Sequence, residues 1–293
     1  MSLALRCRLH VAVLNQDKAL VENLVSGKED INERDKGGRC PLHLAVTNFL
    51  NVLEDDESRT NAEQILLLLL NHGADVNVKD KIMCWRPLRL AVEIKAWTCV
   101  VFLFEKQVEM KDLAQVKQNI GNNKYIDSVL AEAGKQGSVK LASFVLKCGV
   151  NIEHSLDVGD SNMTQLHFAA KHGKLSLVKF LVENKANLEV RDSKLRRTPL
   201  MWASEQGHVD VAEFLITKGA GIDECDIDGN TAAHIAARRG QYEILELLTQ
   251  HGANMLVCNR YDNTALHQAA GCGSVKCVSL LLKIIPDTVI DYR

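Results

Sequence analysis

Apolar residues recur at helical spacing in short stretches of this chain, and a glycine separates one stretch from the next. In one example, Leu177, Val178, Leu181 and Val182 follow the i, i+3, i+4 rule that places an apolar stripe along one side of a helix. The preceding stretch is shorter, rich in alanine and ends at Gly173, where glycine can take the positive φ that often terminates a helix. The pattern therefore predicts pairs of helices, with a polar hairpin between one pair and the next.

The helix pairs recur at an almost constant interval. A four-residue opening of the type Thr-x-Leu-His begins at Thr164, Thr198, Thr231 and Thr264, so that successive starts are 34, 33 and 33 residues apart. A repeat of this length predicts a stack of small units that each contact only their neighbours, rather than one central core. We count eight units, which open near these residues: Cys7, Cys40, Arg86, Ser128, Thr164, Thr198, Thr231 and Thr264.

Each residue of the opening has a predicted structural role. The threonine can cap the first helix with its hydroxyl, and a proline such as Pro199 suits the first helical turn because its missing N–H would be unpaired there anyway. The leucine is a core residue. We expect the histidine to bond groups of the neighbouring unit.

The Thr-Pro-Leu-His-like opening, the alanine-rich first helix and the Gly-Ala exit, as in Gly73-Ala74, together resemble the ankyrin repeat. The resemblance extends over essentially the whole chain. It implies an all-α solenoid of stacked helix-turn-helix units joined by β-hairpin loops, with a concave face that binds protein. We predict three ankyrin repeats in residues 1–127 and five in residues 128–293, arranged as one continuous stack.

Two insertions interrupt the pattern in the N-terminal part. The first lies at residues 50–62, and its acidic cluster predicts a solvated loop over residues 51–59. The second lies at residues 111–127, before a fourth unit that lacks both the Thr-Pro and the histidine. In the third unit Lys95 stands where a glycine is expected. The sequence leaves open whether the stack bends near residues 105–130.

Composition narrows the class of protein. The formal net charge of −2 gives no overall attraction to nucleic acid or to an anionic membrane. The nine cysteines are odd in number and form no CxxC pair, which indicates a reduced protein of the cytoplasm or nucleus. We therefore expect a protein partner and no nucleic acid or membrane, with the chain acting as a monomer or as part of a hetero-complex.

The sequence predicts no enzyme, cofactor or metal site. Nine of the ten histidines occupy positions that the repeat explains, and only His154 does not. Cys272 and Cys277, with His267 nearby, could in principle bind zinc, but Cys277 falls on an apolar stripe where a small core residue is expected. No phosphate-binding loop or catalytic signature is present. The alternative is that the chain is an enzyme with an irregular catalytic site near residues 105–130.

The first candidate partner-binding surface is basic and lies in units five to seven. One interpretation is a mixed, solvated face, because Glu205, Asp226 and Asp228 are close in sequence to the basic residues. The other is a site for an acidic or phosphorylated peptide held by arginine side chains. The candidate residues are Lys171, His172, Lys194, Arg196, Arg197, Arg238 and Arg239, with Tyr261 as a peripheral contact.

The second candidate is the hairpin of residues 81–86, whose equivalents elsewhere in the chain are polar. Met83 and Trp85 give it an apolar tip of the kind that anchors interfaces. Alternatively, Trp85 packs onto the 51–60 insertion or the 111–127 loop.

The predicted function is a non-catalytic scaffold or adaptor. The alternative is a substrate-recruiting subunit of a ubiquitin ligase or another enzyme complex.

Two further features leave alternatives open. Asn32 and Asn77 resemble substrates of an asparaginyl hydroxylase, although the same acidic-apolar-Asn run is part of the ankyrin consensus. The last helix carries Leu280, Leu281 and Ile284 with no polar capping repeat after it. Either a partner covers these residues, or the chain is a fragment of a longer one.

Overall fold

The computed structural model describes residues 8–49, 56–109, 123–156 and 162–285. The chain divides into two compact units, Met1–Val129 and Leu130–Arg293. Both are built from helix pairs. That the two units form one continuous stack stays a prediction.

The N-terminal unit contains three helix pairs in its described part. The first helices contact one another in sequence order, the second helices form another layer, and each first helix packs on its own second helix. Leu42, Leu66, Leu88 and Leu103 are fully buried. The helices are α1 (Arg8–Leu14), α2 (Lys18–Ser26), α3 (Pro41–Asn48), α4 (Asp56–Asn71), α5 (Pro87–Glu93) and α6 (Trp97–Glu109).

The C-terminal unit has the same two-layer plan over five helix pairs, the first of which begins before the boundary of the unit. Its core follows the predicted stripes, with Leu177, Leu181 and Leu215 fully buried. The helices are α7 (Asn123–Gln136), α8 (Val139–Lys147), α9 (Gln165–Lys171), α10 (Leu175–Glu183), α11 (Pro199–Gln206), α12 (Val209–Thr217), α13 (Ala232–Arg239), α14 (Tyr242–Gln250), α15 (Ala265–Gly271) and α16 (Val275–Ile284).

The apolar residues of the last helix differ in how far they are exposed. Leu281 is fully buried in the core of the unit and Leu280 packs against it, whereas Ile284 is 38% exposed. The sequence interpretation that all three await a partner is therefore wrong for Leu281.

The hairpins between repeats are mostly turns rather than strands. In the described part, strand pairing occurs only between β1 (Ser155–Leu156) and β2 (Met163–Thr164), which are antiparallel. Elsewhere a carboxylate closes the turn: Oδ1 of Asp226 accepts the N–H groups of Asp228 at 2.9 Å and Asn230 at 2.8 Å. Adjacent turns are linked by backbone bonds, such as Ile227 N–H to Leu195 O at 2.8 Å.

Side chains at the base of the hairpins add a second link. Oδ1 of Asn32 accepts the N–H of Asp75 in the next repeat at 2.7 Å. Asn32, one of the two candidate hydroxylation sites, thus has a structural role. Its hydroxylation stays a prediction, as does that of Asn77.

Parts of both insertions are helical. Residues 56–59, which were expected in a loop, begin α4, and residues 123–127, counted within the second insertion, begin α7. Residues 51–55 and 111–122 lie outside the described part. Lys95 adopts φ 59°, the left-handed conformation predicted for the glycine that it replaces.

The opening histidines join each repeat to the next. Nδ1 of His167 accepts the N–H of Thr164 at 3.1 Å and lies 3.0 Å from its hydroxyl. The ring proton must therefore sit on Nε2, which donates to the carbonyl of Arg197 in the next repeat at 3.0 Å. His234 bonds the carbonyl of Asn263 in the same way at 2.9 Å. The expected bond from the histidine to the next repeat is confirmed. The expected hydroxyl cap occurs at Thr198, whose Oγ1 accepts the N–H of Met201 at 3.4 Å.

The glycine turns are also points of contact between repeats. Gly173 has φ 64°, and a Cβ added to it would lie 2.5 Å from Nδ1 of His208. That ring cannot move freely, because its Nε2 lies 3.0 Å from the carbonyl oxygen of Lys171. Gly273 has the similar φ of 72°, but no described atom beyond its chain neighbours lies within 4 Å of such a Cβ.

We predict that Gly173→Ala is more destabilising than Gly273→Ala. Both place alanine in the left-handed region, at about 1–2 kcal/mol. Only Gly173→Ala also forces a methyl group against the His208 ring, which adds about 1–3 kcal/mol of overpacking. Urea unfolding of the two variants measures the difference. Equal losses would show that the repeats do not press on each other at this turn.

We also predict that stability falls as the pH drops below about 6.5, the ordinary pKa of histidine. Burial lowers the pKa of His167 and His234, although hydrogen bonds to carbonyl groups oppose the shift. Each ring therefore stays neutral in the folded protein at a pH where it gains a proton in the unfolded chain. Each contributes a slope of at most about 1.4 kcal/mol per pH unit.

Urea unfolding between about pH 5 and 7.5 tests this dependence, above the range in which carboxylates titrate. His167→Gln should show a shallower slope, because glutamine keeps a polar side chain but does not titrate. His251→Gln is the matched control, since His251 is exposed. A slope in His167→Gln equal to that of the unmodified chain would contradict the prediction.

Candidate partner-binding surfaces

A row of charged side chains runs along the C-terminal ends of the first helices in the C-terminal unit. Lys135, Lys171, Glu205 and Arg238 occupy the same position in α7, α9, α11 and α13. The helices α9, α11 and α13 pack side by side in this order, and Gly134 of α7 adjoins Phe168 of α9. Residues at equivalent positions therefore line one edge, which we call the helix-end row.

Arg197 is not available to a partner. It is 5% exposed, and its Nη1 donates to Oε2 of Glu205 at 2.8 Å. Its Nε lies 3.5 Å from Oδ2 of Asp226, a charge contact rather than a hydrogen bond, and its guanidinium lies 5.2 Å from the ring of Trp202. The prediction that Arg197 binds a partner is contradicted by this burial, because two carboxylates and an indole already surround the cation.

Arg239 completes this cluster from the seventh repeat. Its Nη2 and Nε donate to Oε1 of Glu205 at 2.7 and 3.2 Å, while its side chain remains 55% exposed. Burial alone would raise the pKa of Glu205, but the hydrogen bond from Arg239 and the charge of Arg197 lower it. Glu205 is therefore ionised at neutral pH. We call Arg197, Glu205, Asp226 and Arg239 the ion network.

The ion network changes the charge balance of the surface. Glu205 and Asp226 are two of the acidic residues that favoured a mixed face in the sequence analysis. Both are 7% exposed and form ion pairs with Arg197. Arg238 is exposed, and no hydrogen bond joins its side chain to another residue that the structure describes. The edge that remains accessible to a partner is thus more basic than the sequence indicates.

Trp202 is part of the support beneath the row. It is 9% exposed, and its Nε1–H donates to Oδ2 of Asp192 at 2.8 Å. The ammonium of Lys171 lies 4.6 Å from the centre of its ring, a cation–π contact that holds the lysine in place. Trp202 is therefore packed rather than free to contact a partner.

Further basic residues surround His172, and the sequence interpretation missed three of them. Burial lowers the pKa of His172, and the charges of Lys171, Lys135, Lys174 and His208 lower it further. Lys174 and His208 both occupy the position directly after the turn glycine of their repeats. Superimposing the repeats on those glycines could have revealed them.

The remaining predicted contacts lie on the hairpins rather than in the helix-end row. Lys194 and Arg196 are exposed in the hairpin before α11, and Tyr261 is 67% exposed in a later one. The eight residues of α11 separate Lys194 and Arg196 from the row by about 12 Å along the helix axis. The predicted basic surface therefore consists of two groups.

In the N-terminal unit, Ile82 and Met83 form an apolar fingertip, with 73% and 56% of their surface exposed. Asp80 shapes it by accepting the N–H groups of both residues and of Trp85, at 2.7–2.9 Å. Trp85 is only half-buried behind the tip, where the Arg89 guanidinium lies 5.4 Å from its ring. Ile82, which lies within the candidate hairpin of residues 81–86, is more exposed than Met83.

Several thiols and imidazoles of the described residues have structural contacts. Sγ of Cys40 lies 3.1 Å from Nδ1 of His43, but burial raises the pKa of the thiol and lowers that of the ring, so both are neutral. This pair replaces the threonine–histidine cap of other repeats. Cys272 donates to backbone carbonyls and Cys277 is fully buried. In the described residues, no three His, Cys, Asp or Glu side chains are placed to hold a metal ion.

Comparisons with known proteins agree with this fold. A family model for ankyrin repeats in three copies matches residues 130–226 and 218–290, and an ankyrin-repeat model matches residues 37–81. None of the helices in the described part of the chain is long and apolar enough to cross a membrane.

Three relatives show how widely this arrangement occurs. The chain is 26% identical over 238 residues to the nuclear factor NF-kappa-B p105 subunit of Gallus gallus, covering 78% of this chain and 18% of that protein. It is 30% identical over 237 residues to the transient receptor potential cation channel subfamily A member 1 of Homo sapiens, covering 78% and 19%. It is 26% identical over 233 residues to the probable 26S proteasome regulatory subunit p28 of Saccharomyces cerevisiae, covering 78% and 92%.

The chain thus spans less than a fifth of the length of the first two relatives and most of the third. The three-copy model alone matches more than half of the chain. Paired helices recur throughout the described residues, and in the C-terminal unit threonine–histidine caps at Thr164, Thr231 and Thr264 accompany the glycine turns, so the predicted all-α solenoid is confirmed. This chain belongs to the ankyrin-repeat family.

Proposed function

We propose that this chain is a non-catalytic scaffold that binds an acidic polypeptide segment on the concave face of repeats five to seven. Ankyrin repeats are generally protein-interaction modules, and the histidines of the repeat openings serve structure here. The observation that carries the proposal is the helix-end row. Its one carboxylate, Glu205, is held by Arg197 and Arg239, while Lys171 and Arg238 flank it.

The geometry supports a peptide rather than a small ligand. The row extends across several repeats, and each repeat adds one side chain at a regular interval. An extended acidic segment can place successive carboxylates against such a row, where charge-assisted hydrogen bonds are stronger than neutral ones. The exposed Lys194 and Arg196 at the hairpins offer a second line of contact for a longer segment.

A second candidate function is an adaptor within an enzyme complex, including the recruitment of substrates to a ubiquitin ligase. The observation that favours it is the similarity to the probable proteasome regulatory subunit p28, which extends over 92% of that protein. In this version the apolar fingertip, Ile82 and Met83, docks on the complex and the helix-end row holds the substrate. Location in the cytoplasm or nucleus would fit both functions and stays a prediction.

We predict that Lys171→Glu with Arg238→Glu weakens binding of an acidic peptide by at least about tenfold, since two charge-assisted contacts of about 1.5–3 kcal/mol each are lost. The probe is a fluorescein-labelled peptide of alternating Glu and Ala, followed by fluorescence anisotropy. Arg197 is left unchanged, because a glutamate there would face two buried carboxylates. Lys185→Glu with Lys276→Glu, two exposed lysines outside the row, is the matched control.

Two outcomes would contradict the proposed function. One is unaltered affinity in the Lys171→Glu, Arg238→Glu variant. The other is an equal loss in the control, which would mean that only the overall charge of the protein matters.

We predict different effects for the two parts of the 81–86 hairpin. Trp85→Ala should lower the free energy of unfolding by about 1–3 kcal/mol, because a half-buried ring is lost. Ile82→Ser with Met83→Ser should change it by no more than about 0.5 kcal/mol, because both side chains are exposed. Urea unfolding followed by circular dichroism measures both. Full stability in Trp85→Ala would instead identify Trp85 as a free anchor.

A further inference from the structure

Four basic side chains from three repeats lie around His172. Lys135 lies in the last turn of α7, and Lys171 ends α9 with His172 following it. Lys174 and His208 directly precede α10 and α12. The charges of the other four residues act on the imidazole of His172, whose pKa burial and these neighbours both lower. In a chain whose net charge is −2, Lys135, Lys171 and Lys174 form a local concentration of positive charge.

The side chains are held in place before any ligand arrives. The aliphatic part of the Lys174 side chain packs over Gly137. A Cβ added to this glycine would lie 2.9 Å from Cδ of Lys174. His172 stacks on Phe168 with 6.3 Å between ring centres. The Lys171 ammonium rests on Trp202, and the His208 ring is fixed by its bond to the Lys171 carbonyl. A ligand therefore needs to order few additional rotamers.

The carboxylates of the surrounding helices are directed elsewhere. Glu132 accepts a hydrogen bond from Gln136 at 2.6 Å. Glu205 is held by the two arginines of the ion network, and Asp210 accepts the N–H of Val211 at 2.9 Å. None of these three carboxylates forms an ion pair with Lys135, Lys171 or Lys174 in the described residues. A dianion placed between them would relieve their mutual repulsion.

We propose that Lys135, Lys171, His172, Lys174 and His208 form a phosphate subsite that holds a phosphoserine or phosphothreonine of the bound polypeptide. This inference rests on the proposed function, because it places one modified residue of the acidic segment at one end of the helix-end row. A phosphate carries about −1.5 to −2 charges and three acceptor oxygens, more than one carboxylate offers to several donors. Its three oxygens can reach side chains from three repeats at once.

Phosphopeptide fits the surface better than nucleic acid does. Single-stranded nucleic acid binds where aromatic rings are open to stack on bases. Here the two aromatic side chains beneath the subsite, Phe168 and Trp202, are 5% and 9% exposed. Nucleotide bases would therefore have no exposed aromatic ring to stack on here, whereas a phosphate group on a side chain needs only cationic side chains.

The test compares two labelled peptides of alternating Glu and Ala that differ at one central residue, phosphoserine or serine, by fluorescence anisotropy with the full chain. We expect the phosphorylated peptide to bind at least about tenfold more tightly, which is the effect of one to three added charge-assisted hydrogen bonds. Lys135→Gln with Lys174→Gln should reduce this preference to less than about threefold, since two of the cations are lost while most of each stem remains. Lys135→Arg with Lys174→Arg should retain it.

The outcomes separate this inference from the proposed function. If both peptides bind equally to the unmodified chain, the phosphate subsite is wrong and the acidic-segment proposal stands. Failure of both peptides to bind overturns both. A preference for phosphate that persists in the glutamine variant places the contact elsewhere. Displacement of the phosphopeptide by a single-stranded oligouridine at equal concentration would also overturn the inference, in favour of nucleic acid.

Discussion

The fold depends on contacts between neighbouring repeats, because a single helix pair cannot bury its own apolar stripe. Leu181, Leu215 and Leu248 are fully buried only because second helices of adjacent repeats lie side by side. Polar contacts act at the same places: a histidine of one repeat bonds a carbonyl of the next, and hairpins are joined by backbone bonds. The apolar and polar links reinforce each other, so each repeat fixes the position of the following one.

The same rule explains why charges are buried in the C-terminal unit. Arg197 precedes the sixth repeat, Asp226 lies in the hairpin after it, and Arg239 belongs to the seventh, yet they meet around Glu205. Burying an ion is unfavourable unless it is paired and hydrogen-bonded, and each charge here has an opposite partner. The ion network therefore ties two repeats together. It also removes two negative charges from a surface that would otherwise be mixed.

A repeat architecture converts one position in the sequence into a row on the surface. Lys135, Lys171 and Arg238 are far apart in the chain, but each lies in the last turn of the first helix of its own repeat. Substitutions at Lys135 and Arg238 thus adjust the row without disturbing the core, because both side chains are exposed. The basic edge arises in this way within a chain of nearly neutral net charge.

The sequence by itself determined the repeat length, the helix pairs, the stripes and the threonine–histidine openings. These features are local: helical periodicity, caps at fixed offsets and glycine turns act within about 35 residues. Even Lys95 at a left-handed turn position follows from its place in the repeat. Only the tertiary structure decided which charges remain free. Arg197 looked exposed in sequence but is buried, and Lys135 and Lys174 were overlooked although they adjoin His172. The reason is that charge pairing joins side chains from different repeats, and their distances are set by how the helices pack.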